Sequence, residues 1–224
     1  MKAIPALQIA IDGPSGSGKG TISQRLGEAL QLAVLDTGLL YRFTAWLGAK
    51  KDVIDDEDAL LLVLQAHIDA LSWDADGLQF PDLDRSELRH ESVSQQASIV
   101  AAYPKIRASL LQRQRELAQK GCVMDGRDIG TVVLVDAQAK FFLTASAEER
   151  ARRRWLQLQA VNSEVRFETV LAELKNRDER DSERGCSPLC QAQDAVRVDT
   201  TNIGIDDVVQ NMLDILQRKQ LIIM

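Results

Sequence analysis

A glycine-rich segment near the N-terminus combines the residue types that bind phosphate groups. Residues 13–21 read GPSGSGKGT, follow a short apolar run and open a helical pattern. Glycines let backbone N–H groups surround phosphate oxygens, and the helix that follows points its positive end at the same anion. A lysine at this spacing reaches the β- and γ-phosphates of a nucleoside triphosphate. The predicted phosphate-binding residues are Gly13, Ser15, Gly16, Ser17, Gly18, Lys19, Gly20 and Thr21.

The hydroxyl that could bind magnesium lies one residue later than in the general phosphate-loop pattern. Gly20 occupies the position of the usual Ser or Thr, so Thr21 becomes the predicted ligand of the Mg²⁺ that accompanies ATP. The Gly-Lys-Gly-Thr form resembles nucleoside-monophosphate kinases more than GTPases or motor ATPases. The alternative interpretation is a glycine-rich turn between a strand and a helix that binds no ligand.

Three further segments place arginines where a second anion could bind. Residues 36–42 and 125–131 each follow a predicted strand, and residues 177–184 lie on a charged predicted helix. Because open α/β sheets bind ligands at the carboxyl ends of their strands, the first two segments should face the same cleft as the phosphate loop. The charged helix could instead be a self-neutralising exposed surface. Asp125 could be a ligand of a magnesium-bound water or the cap of a turn.

The elements that must position these segments alternate between strands and helices. Short apolar runs predict five strands, at 7–11, 33–35, 122–124, 140–143 and 195–198. Apolar residues at helical spacing predict helices at 18–30, 39–49, 60–64, 92–120, 145–159, 163–181 and 205–218, with a boundary or kink at Pro104. Strands that alternate with helices pair in parallel. We therefore expect an α/β three-layer sandwich with a five-stranded parallel sheet, the P-loop NTPase fold.

The stretch from residue 52 to residue 91 interrupts this alternation. After the short helix it alternates polar and apolar residues and contains several turn signals, which predicts a small α+β insert with antiparallel strands. We therefore expect an α/β core at 1–51 and 92–224, with the insert at 52–91.

The arrangement as a whole resembles the bacterial cytidylate kinase family. The segments that carry the resemblance are IDGPSGSGKGT, LDTGLLYR, ASIVAAYPKIRASLLQRQR, DGRDIGTVV, FFLTASAEERARRR and NRDERDSERGCSPL, and they span nearly the whole chain. The resemblance implies ATP-dependent phosphorylation of CMP, and of dCMP, with Mg²⁺ as the cofactor. It also implies that residues 1–51 and 92–224 form a P-loop kinase core with a helical lid at about 160–190, and that the insert binds the acceptor nucleotide.

The resemblance also implies roles for individual residues. Ser98, Arg107 and Asp128 match positions that hydrogen-bond the cytosine ring, and a carboxylate can accept from its exocyclic amine. Arg42 and Arg127 match a clamp on the acceptor phosphate. The implied acceptor-binding residues are Asp36, Thr37, Arg42, Ser98, Arg107, Arg127, Asp128, Arg177 and Asp181, and the implied catalytic residues are Lys19, Arg127, Arg177 and Arg184. No general base is needed, because a phosphate acceptor is already anionic and nucleophilic.

Composition excludes several other classes of function. A formal net charge of −6 argues against binding a nucleic-acid polymer, which needs a basic surface, and no run of residues is apolar enough for a membrane span. Three cysteines at no disulfide-framework spacing predict a reducing, cytoplasmic setting. Cys186 and Cys190 alone lack the four ligands of a structural zinc site. We expect a monomer.

Two rival functions remain at this stage. A P-loop hydrolase or switch needs a guanine-recognition motif of the Asn-Lys-x-Asp kind, and the sequence has none. A non-catalytic nucleotide-binding module has no use for three arginine segments that meet at a second anion site.

Overall fold

Strands and helices alternate along most of the chain. The computed structural model describes residues 1–74, 77–80, 83, 86–160 and 163–223. Its strands are β1 (Lys2–Ala3), β2 (Gln8–Asp12), β3 (Val34–Asp36), β4 (Ser72–Asp74), β5 (Gly77–Gln79), β6 (Cys122–Gly126), β7 (Ala139–Thr144), β8 (Val196–Asp199) and β9 (Ile222–Ile223). Its α-helices are α1 (Lys19–Leu30), α2 (Thr37–Lys51), α3 (Glu57–Ile68), α4 (Glu91–Val100), α5 (Pro104–Leu117), α6 (Ala147–Gln159), α7 (Phe167–Glu183) and α8 (Ile205–Arg218).

The main sheet has five strands in the order β3-β6-β2-β7-β8, and every neighbouring pair is parallel. The prediction of an α/β fold with a five-stranded parallel sheet is confirmed. β2 is the central strand, as its unbroken apolar pattern requires, since Ile9, Ala10 and Ile11 are fully buried. Asp12 at the end of β2 pairs in register with Gly126 at the end of β6. The phosphate loop and segment 125–131 therefore leave the sheet side by side.

Helices cover both faces of this sheet. Apolar side chains of α1 and α8 pack on one face, against β2, β7 and β8. On the other face, residues of β3 and β6 pack against a turn of π-helix at Ile129–Val133 and against the end of α5. The helix at Ile205–Arg218 has the bounds that its apolar spacing predicts.

Residues 52–91 contain the predicted helix and antiparallel hairpin. The helix α3 is longer than the predicted 60–64, because the Asp56 side chain caps it by accepting from the N–H groups of Asp58 and Ala59, both at 3.0 Å. β4 and β5 form the hairpin. The turns predicted at 74–77 and 80–82 lie partly outside the described residues, since 75–76 and 81–82 are not described. Leu60 and Leu64 share one buried cluster with residues of α2, α4 and α5, so the described apolar side chains of this stretch pack against the rest of the chain.

Pro104 separates two helices instead of kinking one. It is the first residue of α5, where its missing N–H costs nothing, while α4 ends at Val100. The charged helix α7 begins at Phe167, four residues later than predicted. The β1–β9 ladder, which joins the two ends of the chain, was not predicted. Among the described helices, none has both the length and the apolar composition needed to cross a membrane.

Candidate active site

The phosphate loop has the backbone geometry that its glycines predict. Gly16 and Gly18 adopt φ angles of 75° and 90°, in the left-handed region that favours glycine. Gly13 is needed for another reason, because a Cβ there would lie 2.0 Å from the carbonyl oxygen of Leu143. Lys19 Nζ donates to the carbonyl oxygens of Gly13 and Pro14 at 2.7 and 2.8 Å. The ammonium group is thus held against the loop itself.

Lys19 is almost fully buried, although it carries the charge that phosphates would need. Burial lowers the pKa of its ammonium group well below the usual value, and the nearby Arg127 guanidinium lowers it further. Asp125 and Asp12 act in the opposite direction. An anion bound beside Lys19 would therefore relieve an unfavourable concentration of positive charge.

One cleft joins the phosphate loop to the arginine segments. Its volume is about 880 Å³. Most of the predicted site residues line this cleft: Ser15, Gly16, Gly18, Lys19, Gly20, Thr21, Asp36, Thr37, Arg42, Ser98, Arg107, Arg127, Asp128, Arg177, Asp181 and Arg184. Two predicted residues of the loop, Gly13 and Ser17, are not among the residues that line the cleft. Gly13 lies against β7, and the Ser17 hydroxyl accepts from Lys19 Nζ at 3.4 Å. The structure thus brings together segments that lie up to about 170 residues apart in sequence.

Three arginines of the cleft lie close enough to affect one another's charge. Burial and the neighbouring Arg127 and Arg42 guanidinium groups together lower the pKa of Arg177 to about 10. Arg127 donates from Nε to Asp181 Oδ2 at 2.8 Å, whereas Arg177 Nε is buried with no hydrogen-bond partner among the described residues. Arg42 Nη1 lies 3.8 Å from Asp36 Oδ2. Positive charge is concentrated here without full compensation, as an anion site requires.

Next to these arginines is a compact group of polar side chains. Arg107 Nη2 donates to Asp128 Oδ2, and its Nη1 donates to the carbonyl of Ala101 at 3.1 Å. Arg184 Nη2 lies 3.7 Å from Asp128 Oδ1, and Ser98 Oγ donates to Asp181 Oδ1 at 3.4 Å. Carboxylate, guanidinium and hydroxyl groups at one wall of a cleft can recognise the edge of a base through its amine, ring nitrogen and carbonyl.

With this geometry established, the chain can be compared with known proteins. The family model for cytidylate kinase matches residues 9–218. The chain belongs to the cytidylate kinase family. A cytidylate kinase of Shewanella loihica (strain ATCC BAA-1088 / PV-4) is 45% identical over 218 residues, which cover 94% of each chain. One of Salmonella arizonae (strain ATCC BAA-731 / CDC346-86 / RSK2980) is 44% identical over 218 residues, covering 94% of this chain and 95% of the relative.

A solved structure is similar to this chain in fold alone. It is that of an uncharacterized protein from Eubacterium ventriosum ATCC 27560, with a TM-score of 0.51 and 13% sequence identity. The alignment covers 94% of this chain and 98% of that protein. The expected membership of the cytidylate kinase family is confirmed by the sequence relatives and needs no support from this fold match.

Beside the phosphate loop of this cytidylate kinase family member is an apolar wall that the sequence analysis missed. Leu156 of α6 and Ile203 and Ile205 before and at the start of α8 are between 45% and 49% exposed, although they are large hydrophobic residues. All three line the cleft. A flat nucleotide base can cover such exposed apolar side chains. In the sequence they are indistinguishable from the apolar residues of their helices, so no signal marked them.

The arginine-rich helix α6 places its arginines in different environments. Arg152 is exposed and forms an ion pair with Glu149 at 3.0 Å. Arg150 instead is buried and donates to the carbonyl of Ser15 at 3.0 Å and to Asp178 Oδ2 at 2.6 Å. It therefore connects the phosphate loop to α7, which carries Arg177 and Asp181.

Asp125 has the environment of a cation ligand more than that of a turn cap. Its Oδ1 is buried with no hydrogen-bond partner among the described residues, and the side chain lines the cleft. Burial raises the pKa of Asp125 to about 8, and the nearby Asp36 carboxylate contributes to the increase. Thr21, whose hydroxyl was predicted to bind magnesium, lines the same cleft. Hard oxygen donors of this kind fit Mg²⁺.

Two cysteines, Cys186 and Cys190, follow the end of α7. Cys186 and Cys190 are free thiols, and the described residues contain no group of three or more His, Cys, Asp or Glu side chains able to hold a metal ion.

Proposed function

We propose that this protein transfers the γ-phosphoryl group of ATP directly to CMP, and to dCMP, and releases the nucleoside diphosphates. One observation carries the proposal: Arg42, Arg127 and Arg177 line the same cleft as the phosphate loop. The family relationship supports the kinase chemistry, and the group around Asp128 supports a pyrimidine with an exocyclic amine as the acceptor. The chemistry belongs to the pathway of pyrimidine nucleotides.

In this proposal the phosphate loop and Lys19 bind the donor. The loop N–H groups surround the phosphates, and Lys19 exchanges the carbonyl oxygens of Gly13 and Pro14 for phosphate oxygens. The base of ATP lies against the apolar wall formed by Leu156, Ile203 and Ile205. Mg²⁺, bound with ATP near Thr21 and Asp125, supplies neutralisation of phosphate charge.

The arginines hold the acceptor in line with the donor. Arg42 and Arg127 grip the acceptor phosphate with planar, bidentate guanidinium groups, and Arg177 and Arg184 neutralise charge that develops on the transferred group. Asp181, which now accepts from Arg127, turns towards the acceptor's sugar. Because both reactants are polyanions, alignment and charge neutralisation account for the catalysis without a general base.

The arrangement of the chain follows from these roles. We propose that residues 1–51 and 92–224 form the kinase core and residues 52–91 the acceptor-binding subdomain. Residues from about 160 to 190 form a lid, of which 161 and 162 lie outside the described residues. Closure of the lid excludes water and suppresses hydrolysis of ATP. We further propose a monomer that works in the cytoplasm, where its three free thiols stay reduced.

The proposed reaction is tested by acceptor-dependent formation of ADP. The protein is mixed with ATP, Mg²⁺ and one of CMP, dCMP, UMP, AMP or GMP, and ADP is measured over time. Turnover that depends on CMP and dCMP is the expected result. ADP formation without an acceptor would indicate a hydrolase, and the absence of any turnover would indicate a binding module; either would contradict the proposal.

Asp125→Asn should raise the magnesium concentration needed for half-maximal activity and lower kcat by about 10- to 100-fold. The amide keeps the shape of the side chain but cannot ionise when the cation binds. The measurement is activity against Mg²⁺ concentration at a fixed ATP concentration. Asp136→Asn, in an exposed loop, is the matched control. An unchanged magnesium dependence in Asp125→Asn would leave Asp125 without a role at the metal.

A further inference from the structure

We propose that Asp12 is a positioning residue for recognition of the acceptor base, because its carboxylate fixes the backbone that carries Asp128. The proposal rests on the proposed function and extends it to a residue that touches neither nucleotide. Asp12 ends the central strand β2, one residue before the phosphate loop. Its side chain is 3% exposed, so its carboxylate is withdrawn from solvent.

Both oxygens of Asp12 accept hydrogen bonds from the segment that follows Asp128. Oδ1 accepts from the N–H of Ile129 at 2.7 Å, and Oδ2 accepts from the N–H of Gly130 at 2.7 Å. These two bonds join the end of β2 to a segment more than 110 residues away in sequence. Hydrogen bonds to an ionised acceptor are about twice as strong as neutral ones.

The peptide group between Asp128 and Ile129 is consequently held at both ends. Its N–H donates to Asp12, and its carbonyl oxygen accepts from the N–H groups of Val132 and Val133 at 2.9 and 3.2 Å. Asp128 itself has φ −141° and ψ 24°, which is neither helical nor extended. Such a conformation persists only where surrounding contacts impose it. Asp12 supplies two of those contacts.

The direction of the Asp128 side chain depends on this backbone. From its present position Asp128 meets Arg107 and approaches Arg184, and all three line the cleft. Gly130 allows the close approach, because a Cβ there would lie 3.3 Å from Asp12 Oδ2 and 3.1 Å from Lys140 Cδ. A shift of the turn would therefore move the carboxylate that reads the base.

Both hydrogen bonds to Asp12 form only while its side chain is ionised. A carboxylate accepts at both oxygens, but a carboxylic acid or an amide offers fewer acceptors. Burial, with a smaller contribution from the charge of Asp128, raises the pKa of Asp12 to about 6. The two backbone N–H groups and Lys19 act in the opposite direction. The double acceptor is thus present at neutral pH and is lost as the pH falls through about 6.

The test measures discrimination between CMP and UMP, which carry the same phosphate and differ at the edge of the base. We expect Asp12→Asn to lower the ratio of kcat/KM for CMP to that for UMP by about tenfold or more, the effect of losing one charged hydrogen bond. The KM for CMP should rise more than kcat falls. Asp136→Asn, an exposed change of the same kind, should leave the ratio unchanged.

The same ratio measured against pH on the unaltered protein needs no variant. Titration of the phosphate, which also occurs near pH 6, cancels between the two substrates. The ratio should fall below about pH 6 in the unaltered protein and stay flat over that range in Asp12→Asn. If Asp12→Asn fails to fold by thermal melting, the pH profile of the unaltered protein decides.

Two results would overturn the positioning role: a folded Asp12→Asn variant with unchanged discrimination, or a flat ratio from pH 5 to 7 in the unaltered protein. In either case CMP phosphorylation itself would stand. The absence of any CMP-dependent turnover in the unaltered protein would instead remove the proposed function, and the positioning role with it.

Discussion

Lys19→Ala lowers kcat by at least about 10²- to 10³-fold, the range found when a single donor to the developing charge is removed. The ammonium group is the one cation that lies within the phosphate loop, held by the carbonyl oxygens of Gly13 and Pro14. Without it, nothing on the loop itself neutralises the donor phosphates. The measurement is steady-state ADP formation with saturating ATP and CMP.

The fold of Lys19→Ala should survive, so that loss of activity can be interpreted. Because burial lowers the pKa of Lys19 well below the usual value, the charged form is disfavoured in the folded state. Removing the group should leave the melting temperature unchanged or slightly higher. Lys51→Ala, at an exposed position near the end of α2, is the matched control and should keep full activity. A folded Lys19→Ala variant with near-normal kcat would exclude the lysine from catalysis.

Asp128→Ala raises the dissociation constant for CMP by about 10- to 100-fold and leaves that for ATP within about twofold, as expected for loss of a hydrogen bond to a charged group. The carboxylate lines the cleft beside Arg107 and Arg184. Titration calorimetry with each nucleotide alone gives both values without turnover.

A second variant separates the role in binding from a role in folding. Asp128→Ala leaves the buried Arg107 without its carboxylate partner and should also lower stability, whereas Asp128→Asn retains the shape and one acceptor. Asp128→Asn should therefore melt closer to the unaltered protein, yet still bind CMP less tightly. Equal losses of CMP and ATP affinity in both variants would contradict the assignment of Asp128 to the base.

Much of the fold could be predicted from the sequence, because the apolar pattern of each core element specifies the strand or helix that the element forms. The apolar run of β2 specifies a central strand, and the helical spacing in α8 gave the correct bounds. The loops could be placed because parallel strands direct their carboxyl ends to one edge. The short ladder between β1 and β9 could not be predicted, since each strand has only two residues and the pairing joins opposite ends of the chain.

The candidate site could be predicted where charge and spacing are distinctive, and not where contacts are long-range. The cleft residues Arg42, Arg127 and Arg177 were identified as one pocket from sequence and do line one cleft. Arg150, by contrast, looked the same as its neighbours Arg152 and Arg153 in an arginine-rich helix. Its burial depends on the approach of the phosphate loop and of α7, which no local pattern encodes.

The two acidic groups at strand ends illustrate the same limit. Asp12 and Asp125 both follow apolar strands in the sequence, and each could have been a turn cap. Only the three-dimensional structure shows that Asp12 binds backbone N–H groups of a distant segment while Asp125 Oδ1 has no partner among the described residues. Sequence position alone could not separate a positioning role from a candidate metal ligand.

The account depends on a second phosphate pocket that faces the ATP loop, and a crystal structure of the protein soaked with CMP tests it most directly. We expect the CMP phosphate within hydrogen-bonding distance of Arg42, Arg127 and Arg177, with the cytosine amine against Asp128. The phosphate should point towards Lys19 across the cleft. A structure in which the phosphate of bound CMP lies away from these three arginines would contradict the proposal. So would a structure in which CMP binds in the phosphate loop.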